Sequence, residues 1–79
     1  MDSRALVHEI RKSMRSGYRH FLGVRLDELT NEMLLRLTKY LGKDKSEVVR
    51  LSIITAYAYF VEKTDPKKVL EKIIESGEL

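Results

Sequence analysis

Apolar side chains recur along this chain with the period of a helix in four places and of a strand in one. Over 2–16, Leu6, Val7, Ile10 and Met14 fall on one helical face. Arg4, His8, Arg11 and Arg15 fall on another, with Lys12 at its border, and Ser16-Gly17 ends the helix. In 19–26 the period changes to two. Leu22, Val24 and Leu26 alternate with Phe21, Gly23 and Arg25, as in a strand with one buried face. A second helix is predicted over 28–41, with Thr30, Leu34, Leu37 and Leu41 in its stripe and Gly42 as a left-handed C-cap. Asp44-Lys45-Ser46-Glu47 has the spacing of a capping box and opens a third helix over 45–63. Between 48 and 61 the only charged residue is Arg50 and apolar side chains occur around the whole circumference, which calls for cover on most sides. Asp65-Pro66 then starts a last amphipathic helix with Val69, Leu70, Ile73 and Ile74 on one side and Gly77 near its end.

Seventy-nine residues make one domain, too short to build a large core unaided. The absence of cysteine removes disulfides, thiolate metal sites and cysteine nucleophiles. Two histidines, His8 and His20, are too few for a histidine-rich metal cage, and no nucleophile–base–orienter set can be assembled. Neither an enzyme nor a cofactor or metal is expected. Net charge is +3, unevenly spread. Residues 1–26 carry six basic side chains against two acidic ones, whereas 27–79 are close to balanced. A positive N-terminal third points to an anionic partner, nucleic acid first. The chain has no signal-peptide pattern, and its most apolar stretch, 48–61, falls short of the roughly 20 residues that span a bilayer. A cytoplasmic protein is expected.

One strand among four helices needs a backbone partner, because unpaired N–H and C=O groups are costly and an open apolar edge aggregates. The chain has no second strand to offer. The same segment of another copy, antiparallel about a two-fold axis, would pair with it and also cover the apolar third helix. An intertwined homodimer follows as the expectation, with Leu22, Val24, Leu26, Leu34, Leu37, Leu41, Val49 and Ile53 in its core. Its outward ribbon face would present Phe21, Gly23 and Arg25, and the major groove of DNA admits such a ribbon. The helix start after Asp44, flanked by Lys43 and Lys45, suits a phosphate.

Val24-Arg25-Leu26-Asp27-Glu28, the Leu34/Leu37/Leu41-Gly42 spacing, and Lys45-Ser46-Glu47-Val48-Val49-Arg50 through Ile53 together resemble the ribbon-helix-helix repressors of the Arc/MetJ/CopG type. The resemblance covers about residues 20–57. It implies a mostly α fold in which an intertwined homodimer forms a two-stranded intermolecular antiparallel ribbon. An extra N-terminal helix (1–18) and an extra C-terminal helix (64–79) would flank the ribbon-helix-helix domain (19–63). The resemblance also implies that Phe21, Gly23 and Arg25 face bases while Lys45 and Ser46 grip phosphate. Leu51 and Ile54 occupy positions where the family often has charges, which suggests that the first or last helix covers them.

Blander readings stand beside these. The stripe Arg4/His8/Arg11/Arg15 is either a solvated helix face or a row of cations along the DNA backbone, and Phe21 is either a base contact or an aromatic covering the ribbon. Arg50 is expected to balance Glu47 one turn back. Tyr40, Tyr57 and Tyr59 read as core or interface packing. The expected function is a sequence-specific DNA-binding transcriptional regulator, a repressor, acting as a homodimer or as a tetramer on double-stranded DNA. Lys43, Lys45, Ser46, Arg19 and Arg15 would be its phosphate contacts. Two alternatives stay open: an antitoxin whose residues 64–79 capture a toxin, and a helical assembly protein that binds no DNA.

Overall fold

A computed structural model describes residues 1–77, which form four helices: α1 (Ser3–Arg15), α2 (Glu28–Leu41), α3 (Lys45–Phe60) and α4 (Pro66–Ser76). The same residue type starts each of them. An aspartate in extended conformation precedes every helix and accepts a hydrogen bond from a first-turn N–H that would otherwise lack a partner. Asp2 accepts from Ala5 at 2.8 Å, Asp27 from Thr30 at 3.1 Å, Asp44 from Glu47 at 2.9 Å and Asp65 from Lys67 at 3.0 Å. At Asp44 the box is reciprocal, since its own N–H donates to Glu47 Oε1 at 3.4 Å. Gly42 and Gly77 close α2 and α4 at φ +66° and +68°, the left-handed conformation that glycine adopts without a Cβ clash.

These carboxylates give the fold an acid sensitivity. Hydrogen bonds from Thr30 hold Asp27 below the usual aspartate range, and the Glu47 N–H does the same for Asp44. A lowered folded-state pKa stabilises the native state above the ordinary carboxylate range and is lost as pH falls through the lowered value. Urea midpoints should therefore hold near neutral pH and decline below about pH 4. Asp44→Asn keeps an acceptor for the Glu47 N–H but does not titrate, so its decline with acid should be shallower. An unchanged decline would remove Asp44 from this account.

Packing runs in the order α1, α4, α3, α2, for α4 packs on both α1 and α3, and α2 packs on α3. Leu6 and Val7 of α1, Leu51 and Ala58 of α3, and Val69 and Ile73 of α4 form the core. Val69 and Ile73 are fully buried. The two terminal helices thus build the centre of the domain together with α3, and Leu51 and Ile54 receive the cover expected of them. In contrast, α2 has no buried residue.

Two expectations are corrected. The ribbon-helix-helix fold requires a β-ribbon, and no strand exists among the described residues. Residues 18–27 are irregular and exposed throughout, with Phe21 98% accessible. Alternation of Leu22, Val24 and Leu26 makes a strand only where a second backbone lies alongside, and none does so among the described residues. The third helix ends at Phe60 instead of running to 63, because Lys63 turns left-handed at φ +51° while the Thr64 N–H closes back on the Ala58 carbonyl.

The structure exposes more surface than its mass requires. Its accessible area is 6307 Å², whereas the scaling for folded monomers gives about 4,900 Å² at 9.2 kDa. Its radius of gyration, 12.8 Å, likewise exceeds the roughly 11.6 Å usual for this length. The surplus includes Val49, Ile53 and Tyr57, which follow one another at four-residue spacing along α3, and Tyr40 of α2.

Candidate nucleic-acid interface

Gly17, at φ +103°, turns the chain out of α1. Tyr18 then anchors it to α3: the Arg50 guanidinium lies 4.2 Å from the Tyr18 ring centroid, within cation–π range. Contrary to the expectation from sequence, Arg50 does not pair with Glu47; Lys43 approaches that carboxylate at 3.7 Å. The Arg50 Nε is buried without a hydrogen-bond partner, and the cation is compensated by the ring face and by the charge of the Asp44 carboxylate.

The Tyr18 anchor holds the following residues over the first turn of α3. Arg19, His20 and Phe21 line a cleft of about 670 Å³ with Lys45 and Ser46. Its apolar floor includes Met14 of α1 and Val49 of α3. Of the residues predicted to grip phosphate, Arg19, Lys45 and Ser46 therefore meet in one place. Arg19 also donates to the Ser16 carbonyl at 3.3 Å, which holds its side chain near the end of α1. Lys43 is engaged with Glu47 instead. Arg15 lies exposed at the end of α1, one turn before the cleft.

The helix start itself is a weaker anion site than its sequence suggests. The Asp44 carboxylate occupies the Glu47 N–H, and both carboxylates of the box stand where a phosphate would approach. The side chains of Arg19 and Lys45 supply the positive charge here. Gly23 and Arg25 are exposed on the irregular segment, next to Phe21 in sequence. An added Cβ at Gly23 would meet only the Phe21 ring edge, at an ordinary 3.8 Å.

The residues predicted for a dimer core are not buried in the single chain. Leu22, Val24, Leu26, Leu37, Val49 and Ile53 are exposed, and Leu34 and Leu41 are half-buried. Leu37 and Leu41 border an apolar groove of about 510 Å³ with Tyr59, Phe60, Leu70 and Ile74.

The sequence singles out only the α1 side of a second cationic surface. Arg4, His8 and Arg11 of α1 face Lys68 and Lys72 of α4 across a cleft of about 610 Å³, with Glu71 as its carboxylate. The four-residue spacing of Lys68 and Lys72 was legible, but only the packing of α4 on α1 shows which charges they join. Comparison with known families, curated proteins and solved structures found no match to this chain. No helix among the described residues is long and apolar enough to cross a membrane.

Proposed function

We propose that this chain is a DNA-binding transcriptional regulator, a repressor, that acts as a homodimer on double-stranded DNA. The observation that carries the reading is the convergence of Arg19, Lys45 and Ser46 on one cleft beside an exposed segment bearing Phe21 and Arg25. In this reading Arg15, Arg19 and Lys45 neutralise phosphates and fix the orientation of the protein, and Ser46 adds a hydroxyl donor. Arg25 then reaches base edges from the exposed segment, where a guanidinium pairs with guanine in two places. Repression follows from occupancy of the site.

The surplus surface supports the second copy. The accessible area exceeds that of an ordinary monomer of this mass by about 1,400 Å², part of it on the irregular segment given to DNA and part on apolar side chains of α3 and α2. The dimer's apolar centre is Tyr57 with Val49 and Ile53, which also line the cleft, so in this reading the second copy seats directly beside Arg19, Lys45 and Ser46. The apolar face of α4, which motivated a toxin-capturing tail, is packed against α1 and α3 of its own chain.

The test is titration of a labelled random duplex at two salt concentrations. The α3 cleft alone, with three phosphate-contacting cations in each of two chains, contributes about −5 to the slope of log affinity against log salt. Affinity should then fall by at least about 10³-fold between 50 and 200 mM salt. No binding at micromolar protein and 50 mM salt would leave a helical assembly protein as the better reading.

A further inference from the structure

We propose that the cleft between α1 and α4 is a second phosphate-binding surface, which extends the contact with duplex DNA beyond the α3 cleft. The inference rests on the DNA-binding reading above. Four permanent cations stand on the two walls, Arg4 and Arg11 opposite Lys68 and Lys72, against Glu71 in the cleft and Glu75, whose carboxylate lies 3.9 Å from the Lys72 ammonium at the exposed surface. A concave surface with an excess of positive charge concentrates the field on an incoming anion. The shape of the charge favours a polyanion over a single ion. Arg4, Arg11 and Arg15 lie along one face of α1 at helical spacing, and Arg19 follows at the second cleft. At 1.5 Å per residue the helical part of this row runs about 16 Å. Duplex DNA presents one phosphate per 3.4 Å of axis on each strand, so a row of that length meets several. The two α4 lysines widen the row into a strip.

The experiment compares the full chain with Lys68→Gln/Lys72→Gln and with Arg36→Gln/Lys39→Gln, a control that removes the same charge from α2. Lys68 and Lys72 are exposed, and glutamine preserves helix propensity, so the circular dichroism and melting temperature of each variant should match the parent. The readout is the salt dependence of binding to a random duplex. Removing the α4 lysines should reduce the slope by about two for each contacting chain, while the control leaves it unchanged. Arg4→Gln, on the opposite wall, should reduce it by about one and covers the case in which the α4 variant is unstable. An unchanged slope in the α4 variant and in Arg4→Gln, with DNA still bound, would overturn this inference alone, as would an equal loss in the control. Absence of DNA binding by the parent chain would overturn both readings. Binding to vesicles containing phosphatidylserine that depends on Lys68 and Lys72, with DNA binding indifferent to them, would assign the cleft to a membrane surface and overturn it too.

Discussion

Ile73→Ala is expected to destabilise the domain by about 2–5 kcal/mol. A 79-residue domain has about 4–12 kcal/mol of stability in total, so one truncation removes a large share of it. The size of the effect follows from position. Ile73 is fully inaccessible to solvent and belongs to the cluster contributed by α1, α3 and α4. Deleting its outer carbons loses their transfer free energy and leaves a cavity that three helices cannot easily close. Ile73→Val should cost less, about 0.5–1.5 kcal/mol, giving a graded pair by urea denaturation. If both variants unfold with the parent, the core is not centred on α4.

Ile53→Glu should do the opposite, sparing the monomer and weakening association. Ile53 is 55% accessible in the single chain, and glutamate is a good helix former, so monomer stability should change by no more than about 0.5 kcal/mol. In a dimer centred on the α3 stripe the carboxylate would be buried against apolar groups without a partner. A loss of about 3 kcal/mol or more is expected, roughly a hundredfold in dissociation constant. Sedimentation equilibrium over a range of loading concentrations measures it. A variant that associates like the parent would move the contact away from α3.

Local chemistry was the legible part of this protein. Asp44 and Asp65 mark helix starts in the sequence, Gly42 marks an end, and the Asp44/Glu47 box is present as read. Each depends on residues within four positions, so its outcome is set before tertiary packing. The strand at 19–26 failed for the opposite reason. Period-two alternation states which side chains share a face, but a strand also needs a neighbouring backbone, and no residue within the segment reports one. The position of the core was misread in a related way. The stripes on α1 and α4 are visible in the sequence, but the helices that carry them build the core and do not merely flank it. No spacing within α4 reveals that Val69 and Ile73 meet Leu6, Val7 and Leu51 across the chain.

The candidate site divides along the same line. Arg19, Lys45 and Ser46 were named from charge and helix position, and the fold brings them to one cleft. Lys43 was named on the same grounds but neutralises Glu47, one turn away. Tyr18 was not singled out, although it holds the irregular segment to α3 through Arg50. An aromatic next to a glycine turn carries no sequence mark of its cation, which lies 32 positions further on. Lys68 and Lys72 became part of a cationic strip only through the α1–α4 contact.

Native mass spectrometry of the full chain mixed with a short random duplex tests the central claim most directly, because it counts chains on DNA. Complexes holding two copies per duplex, or four on longer duplexes, and dissociating as salt rises, are the predicted result. Free duplex beside unbound protein at micromolar concentration and low salt, or a single copy on each duplex, would contradict it.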